Sequence, residues 1–270
     1  MSAKARLDQL LVTLGHCESR ERARTTIMSG LVYVDGQKQT KAGLAVPSDA
    51  CIEVRGDPIG FVSRGGLKLD KALTFFDVAV TGLRALDVGA STGGFTDCLL
   101  KRGVAHVAAV DVGYGQFDWT LRNDPRVTVR ERCNIRYVKP EQVGAPFDMA
   151  VVDVSFISLK LVFPVVYALL RETGQLICLM KPQFEAGRDK VGKKGVVREE
   201  ATHKAVLTGC IQAAREAGFA LQGLTHSPIK GPHGNIEFLG YWRRDAQEIE
   251  LQIEEVVAAA HTALAQRDEL

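Results

Sequence analysis

The chain lacks the features that mark membrane, secreted and zinc-binding proteins. No segment approaches the ~18 uninterrupted apolar residues of a membrane-spanning helix, and the first residues contain no apolar signal core. No Asn-x-Ser/Thr sequon occurs, and none of the six cysteines belongs to a Cys-x-x-Cys pair. These absences argue against a membrane-lysing protein and against a zinc module. We therefore expect no metal site, and a cytoplasmic protein with reduced thiols.

A strong excess of charge is also missing. The 34 basic and 32 acidic side chains leave a net charge of +2. A chain this close to neutral binds nucleic acid only through local basic patches. Its 270 residues, 46% hydrophobic and 24% charged, are typical of a soluble globular protein with one large domain or two smaller ones.

Residues 1–58 have the pattern of a small α+β unit, and a turn-rich linker follows at 59–62. The spacing predicts a helix over 6–15 and a second helix, capped by Ser19, that ends at 29–30. The pair Asp35-Gly36 predicts a tight turn between two strands, and a further strand is expected at 51–55. Arg20 and Arg24 share one face of the second helix. Charge counting alone favours an ordinary solvated face.

Strands and helices alternate from residue 83 onward. This order predicts an α/β fold with a mostly parallel, Rossmann-like sheet, helices on both faces and a hairpin at the end. Ligands are expected at the carboxyl ends of its strands. The predicted strands are 83–88, 106–111, 127–130, 147–153, 174–180, 219–227 and 236–243, and the longer helices are 159–170 and 201–217. This second domain spans 63–245.

Residues 246–270 form a predicted C-terminal helix. Its apolar stripe consists of Ile249, Ile253, Val256, Ala260 and Leu264. The segment from Glu185 to Val197 is too rich in glycine and lysine for a regular element, so it is predicted to be a mobile basic loop beyond the fifth strand.

A loop of small residues, Gly89-Ala-Ser-Thr-Gly-Gly94, joins the first of these strands to a helix. It lacks the second glycine of the dinucleotide-binding Gly-x-Gly-x-x-Gly motif. It does match the Gly-x-Ser-x-Gly elbow of an α/β-hydrolase, in which Ser91 would be the nucleophile, with Asp153 and a histidine (His203, His226 or His233) as partners. A hydrolase elbow follows several strands of its sheet, whereas this loop follows the first strand.

S-adenosyl-L-methionine suits the surroundings of this loop better. The cofactor carries cationic sulfonium and amino groups, which Asp87 can serve from the strand before the loop. Asp111, at the end of the next strand, can accept two charge-assisted hydrogen bonds from ribose hydroxyls. Two strand-end carboxylates at this spacing favour a methyl-donor site.

Several longer stretches carry a family resemblance. Ser19-Arg-Glu-Arg-Ala-Arg and Leu31-Val-Tyr-Val-Asp-Gly are similar to the S4 RNA-binding domain. Ser63-Arg-Gly-Gly-Leu-Lys68, the stretch 86–96, Val152-Asp-Val-Ser-Phe-Ile-Ser and Leu179-Met-Lys-Pro-Gln-Phe-Glu resemble the TlyA family of FtsJ-like ribosomal RNA 2′-O-methyltransferases, some of which were named hemolysins. The resemblance implies methylation of cytidine ribose in 16S or 23S ribosomal RNA, with ribosomal RNA or ribosomal subunits as partners.

The resemblance also implies a catalytic set of Lys68, Asp153, Lys181 and Glu237. A ribose hydroxyl needs a base. A lysine serves only when neutral, a form that burial and the neighbouring Lys68 favour for Lys181. The implied cofactor residues are Asp87, Gly89, Ser91, Gly93, Gly94, Asp111, Val112, Asn134 and Val154. The implied RNA-binding residues are Arg6, Arg20, Arg22, Arg24, Lys38, Arg64, Arg188, Lys190, Lys193 and Lys194. An S4-type binding protein with an inactive enzyme domain is the alternative.

Overall fold

A computed structural model describes residues 4–17, 19–28, 30–54, 60–192 and 194–265, apart from the side chains of Arg188 and Pro232. The chain forms two compact units, Met1–Arg64 and Gly65–Leu270. Within the described ranges, no helix combines the length and the apolar character needed to cross a membrane.

The first unit is a small α+β fold. Its elements are β1 (Lys4–Arg6), α1 (Leu7–Thr13), α2 (Arg20–Met28), β2 (Val32–Val34), β3 (Gln37–Gln39), β4 (Ala45–Pro47) and β5 (Ile52–Val54). Strand β2 pairs antiparallel with β3 and β5, and β1 with β4. Asp35 and Gly36 have φ angles of 50° and 78°, as a two-residue hairpin turn requires. Ser19 caps α2 as predicted, because its hydroxyl accepts the N–H of Arg22 at 3.1 Å.

The second unit is built on a seven-stranded sheet. Its strands are β6 (Arg84–Val88), β7 (His106–Val110), β8 (Val127–Arg130), β9 (Phe147–Val152), β10 (Leu170–Met180), β11 (Ala220–His226) and β12 (Phe238–Arg243). Their spatial order is β11-β12-β10-β9-β6-β7-β8. Strands β6 to β10 pair in parallel, whereas β12 is antiparallel to both β10 and β11. The predicted parallel sheet with a terminal hairpin is confirmed.

Helices cover both faces of this sheet. They are α3 (Gly65–Phe75), α4 (Gly94–Lys101), α5 (Trp119–Arg122), α6 (Pro140–Val143), α7 (Phe163–Leu169), α8 (Pro182–Glu185), α9 (Glu200–Glu216) and α10 (Ile253–Ala265). Helices α7, α9 and α10 bury apolar side chains in one core with the strands, while α3 packs against α4. Since β7 and β9 lie on opposite sides of β6, the chain reverses its strand order there, and such a point in a sheet opens a ligand crevice.

Three local predictions are wrong. The helix expected over 159–170 is a 3₁₀ turn, Leu159–Leu161, followed by α7, because Pro164 fits only a first helical turn. The predicted loop after β10 contains a 3₁₀ helix, Arg188–Lys190. In the C-terminal helix Ile249 precedes the first turn, and the buried stripe is Val257, Ala260 and Leu264.

Candidate active site

Two lysines form ion pairs with two carboxylates at the carboxyl end of the parallel strands. Lys68 Nζ, on α3, donates to Glu237 Oε2 at 2.6 Å, and Lys181 Nζ pairs with Asp153 Oδ1. The side chains of Lys68, Glu237 and Lys181 are at most 10% exposed, and that of Asp153 is 19% exposed. Buried charges persist only when paired, so removing one member of either pair leaves a costly uncompensated charge.

Strand register explains why residues so distant in sequence meet. Met180, the last residue of β10, pairs antiparallel with Phe238, the first residue of β12. Lys181, which follows β10, and Glu237, which precedes β12, therefore lie side by side. Asp153 follows β9, whose Val152 pairs in parallel with Cys178 of β10. The sequence therefore places these three side chains at one edge of the sheet through three adjacent strands.

Two further residues contact these ion pairs and are not among the catalytic residues predicted from the sequence. Ser155 Oγ accepts a hydrogen bond from Lys181 Nζ at 3.0 Å, which helps to fix the direction of the amine. Gly231 lies so close to Glu237 that a Cβ there would overlap Oε1 of the carboxylate. A close approach of this kind leaves no periodic signal in the sequence.

A cavity of about 750 Å³ opens beside Asp153. Of the predicted cofactor residues, it is lined by Gly89, Ser91, Asp111, Val112, Asn134 and Val154. Gly89 has φ +85°, and a Cβ there would overlap the carbonyl oxygen of Asp153, so only glycine allows β6 and the loop after β9 to meet at the cavity wall. The volume is within the range of pockets that bind cofactors.

Asp87 lies at the end of β6 and is fully buried. Thr96 Oγ1 donates to its Oδ2 at 2.6 Å, but Oδ1 has no hydrogen-bond partner among the described residues. Burial raises the pKa of Asp87 to about 7. Asp87 does not line the cavity itself, but the next residue, Val88, does. An orphaned buried carboxylate oxygen at this strand end fits a cationic ligand.

Asp111 follows the neighbouring strand β7 and lines the cavity. Its two carboxylate oxygens accept the backbone N–H groups of Ser91, at 2.7 Å, and Gly113, at 2.6 Å. The first bond holds Ser91 at φ +50°, so this serine shapes the loop. The carboxylate keeps acceptor capacity for ribose hydroxyls.

The remaining predicted cofactor residues play different parts. Asn134 Oδ1 accepts the N–H of Arg136 at 3.1 Å and starts a 3₁₀ turn at the cavity wall. Gly93 and Gly94 lie outside the lining: Gly93 begins α4 at φ +96°, where a Cβ would meet Leu121 Cδ1 at 2.6 Å. Val112 is 67% exposed. Gln116 and Cys133 also line the cavity and were not predicted.

The hydrolase interpretation is not supported by the site. No histidine of the described chain hydrogen-bonds to Ser91. His203 instead contacts His261, with Nδ1 of the first 2.9 Å from Nε2 of the second. Nδ1 of His226 lies 3.4 Å from Lys71 Nζ. The described residues also contain no cluster of His, Cys, Asp and Glu that could hold a metal ion.

Comparison with known proteins agrees with this geometry. The family model described as FtsJ-like methyltransferase matches residues 61–244. The chain belongs to the FtsJ-like methyltransferase family. A second model, the S4 domain, matches residues 5–50. This methyltransferase uses S-adenosylmethionine as its methyl donor, and the orphaned Asp87 oxygen and the glycine-walled cavity fit that cofactor.

Similar proteins cover nearly the whole of this methyltransferase. It is 47% identical to YqxC of Bacillus subtilis (strain 168) over 98% of this chain and 97% of the relative. It is 42% identical to the 16S/23S rRNA (cytidine-2′-O)-methyltransferase TlyA of Mycobacterium tuberculosis (strain ATCC 25618 / H37Rv), over 98% and 99%. A solved structure from Streptococcus thermophilus is 41% identical, with a TM-score of 0.80 and full coverage of both chains.

The predicted RNA-binding residues of the S4 unit differ in their surroundings. Arg6 and Arg20 are exposed, yet both bond to the buried carboxylate of Asp8, through Arg6 Nε and Nη2 at 3.0 and 2.8 Å and Arg20 Nε at 3.3 Å. The Arg6 guanidinium, with Arg20, lowers the pKa of Asp8 to about 2. Arg22 donates to the carbonyl of Phe61, while Arg24 and Lys38 are exposed.

The other predicted RNA-binding residues lie near or beyond the boundary of this unit. Arg64 is exposed at its end, and Lys190 and Lys194 are exposed in the segment after α8. Lys193 and the side chain of Arg188 lie outside the described part of the structure.

Proposed function

We propose that the protein transfers the methyl group of S-adenosylmethionine to the ribose 2′-hydroxyl of a cytidine in ribosomal RNA. The observation that carries this proposal is the pair of buried lysine–carboxylate ion pairs beside the cofactor cavity. The name of the mycobacterial relative, a 16S/23S rRNA (cytidine-2′-O)-methyltransferase, supports the choice of RNA and nucleotide.

The chemistry needs a base and a way to orient it. Bound S-adenosylmethionine supplies a methyl group on a positively charged sulfur. In our proposal Lys181, in its neutral form, takes the proton of the 2′-hydroxyl on Nζ, while Asp153 and Ser155 direct that nitrogen. The Lys68 ammonium, held by Glu237, places a second positive charge at the same edge of the sheet.

Around the cavity, the surface suits RNA. Exposed aromatic rings are found here, and two of them carry an arginine: the guanidinium carbon of Arg132 lies 4.0 Å from the ring centre of Tyr114, and that of Arg136 lies 5.2 Å from Tyr137. Phe156, which lines the cavity, is 91% exposed. Aromatic rings and stacked guanidinium groups bind unstacked nucleotides, and arginines bind phosphates. None of these residues is among those that the sequence predicts to bind RNA.

Methyl transfer from labelled S-adenosylmethionine to unmethylated ribosomal subunits tests the proposal. The wild-type protein is expected to label RNA, and Lys181→Ala is expected to lower kcat by about 100-fold or more, since a positioned base contributes at least that factor. Lys101→Ala, which removes a half-exposed lysine paired with Asp97 on α4, is the matched control and should leave kcat unchanged.

Three outcomes would contradict parts of this account. Absence of transfer together with tight RNA binding would favour the RNA-binding alternative. Label on a base would contradict ribose methylation. Undiminished transfer by Lys181→Ala would contradict its role as the base.

A further inference from the structure

Asn235 lies two residues before Glu237, and its side chain is buried, with the residue 1% exposed. Its Oδ1 accepts the backbone N–H of Val197 at 3.0 Å, and its Nδ2 donates to the carbonyl of Gly195 at 2.9 Å. These two bonds fix the orientation of the amide, because the flipped group would point its donor at an N–H and its acceptor at a carbonyl. The Asn235 side chain therefore anchors the segment after α8 through the main-chain groups of Gly195 and Val197.

The segment that Asn235 anchors forms a turn, described at Gly192 and over 194–197. Gly192 N–H donates to the carbonyl of Val196 at 3.1 Å, and Gly195 N–H donates to that of Gly192 at 2.8 Å. Gly195 has φ +73°, a conformation that reverses the chain. Lys194, within the turn, is exposed. Val196 and Val197 at the end of the turn are buried. The two bonds from Asn235 fix the main chain at Gly195 and Val197, and so place the adjoining Lys194.

The main chain of Asn235 belongs to the wall around Glu237. Its carbonyl accepts the N–H of Gly231 at 2.9 Å, and Gly231 is the residue that packs against Glu237 Oε1. The carbonyl of Glu237 accepts the N–H of Ser227 at 2.8 Å. One residue thus joins the turn at 194–197 to the strand end that carries the Lys68–Glu237 pair.

We propose that Asn235 is a positioning residue that holds the turn at 194–197 in register with Glu237, so that Lys194 contacts RNA whose ribose lies in the active site. This inference rests on the proposed function. If Asn235 positions the turn for substrate binding, its substitution changes the KM for RNA. If its side chain only fills the core, substitution lowers stability and leaves that KM unchanged.

The test compares Asn235→Ala, which removes both bonds, with Asn235→Asp, which keeps the acceptor for Val197 N–H and sets an oxygen against the Gly195 carbonyl. Asn123→Asp is the matched control, because Asn123 is an exposed asparagine whose Nδ2 also donates to a main-chain carbonyl, that of Trp119, at 2.7 Å. We expect the KM for ribosomal RNA to rise about tenfold in both Asn235 variants, as loss of a buried hydrogen bond implies. The KM for S-adenosylmethionine should change by less than about twofold.

A double-substitution cycle tests the route of the effect. If Asn235 acts through the turn, Lys194→Ala should raise the KM for RNA in the wild-type background and have little further effect in Asn235→Ala. Additive effects would overturn the proposal. So would Asn235 variants that melt at lower temperature but keep the wild-type KM for RNA, because that result describes a purely structural side chain.

Hydrogen exchange separates this inference from the proposed function. The amide of Val197 should be protected in the wild-type protein and exchange at least about tenfold faster in Asn235→Ala, when both proteins are folded. If the wild-type protein methylates no RNA, the proposed function is wrong. The exchange rate still shows whether Asn235 holds the amide of Val197. Methylation with unchanged exchange at Val197 overturns the positioning role alone. If the alanine variant does not fold, the aspartate variant, which keeps the acceptor for Val197 N–H but loses the bond to the Gly195 carbonyl, supplies the KM measurement.

Discussion

Asp87 should make cofactor binding depend strongly on pH. The carboxyl group is fully buried, one oxygen has no partner among the described residues, and burial raises its pKa to about 7. Below that pH the group is neutral. A cationic methyl donor favours the ionised form, so binding should release a proton from Asp87 whenever the solution is more acidic than the pKa.

The size of the effect follows from the ionised fraction. With a pKa of about 7, that fraction is about 1% at pH 5 and about 90% at pH 8. If only the ionised form accepts the cofactor, the apparent Kd varies inversely with this fraction. The affinity for S-adenosylmethionine should therefore be about 90-fold higher at pH 8 than at pH 5.

Titration calorimetry at several pH values, in buffers with different heats of ionisation, measures both the affinity and the protons released. Asp87→Asn should bind weakly and almost independently of pH. Asp70→Asn, which alters a partly exposed carboxylate paired with Arg102, should keep the wild-type slope. An affinity that stays constant from pH 5 to pH 8, or a slope that survives in Asp87→Asn, would show that Asp87 does not bind the cation in its ionised form.

Three further predictions concern other parts of the molecule. Burial and His261 lower the pKa of His203 to about 4 from an ordinary value of 6.5, so between these pH values the unfolded chain binds more protons than the folded one. The free energy of unfolding in urea should therefore be highest above pH 6.5 and fall as the pH drops toward 4, and a value that stays constant over this range would contradict the prediction. Gly231→Ala should displace the Glu237 carboxylate and lower kcat at least about tenfold, whereas Gly209→Ala, with open space around a helical glycine, should leave kcat intact; equal kcat values would contradict the role of the close contact. Asp8→Ala should release Arg6 and Arg20 and weaken RNA binding in a filter assay about tenfold or more, and unchanged binding would show that the carboxylate does not organise them.

Local patterns predicted the positions of most elements and of the acidic groups. Asp87, Asp111 and Asp153 each follow a short apolar run, and such runs identify buried strands whose carboxyl ends gather at one edge of a parallel sheet. The hairpin turn at Asp35-Gly36 was equally clear, since few residue pairs adopt two positive φ angles.

Long-range register could not be predicted in this way. The pairing of Lys68 with Glu237 depends on the alignment of β10 with β12 and on the placement of α3, which no local pattern encodes. The same holds for Asn235, whose side chain bonds to residues 38 and 40 positions away in the sequence. Gly231 contacts Glu237 from the same loop, but a close approach of this kind leaves no periodic signal. In the C-terminal helix, a start at Ile253 rather than near residue 248 shifted the buried face from Val256 to Val257.

Identifying the nucleoside that receives the methyl group is the decisive experiment for ribose methylation by this protein. Ribosomal subunits incubated with the protein and S-adenosylmethionine are digested to nucleosides, which are then identified by mass spectrometry. The arrangement of Lys68, Asp153, Lys181 and Glu237 predicts 2′-O-methylcytidine, formed by the wild-type protein and absent with Lys181→Ala. A cytidine methylated on the base, or a product that persists in the alanine variant, would contradict the account.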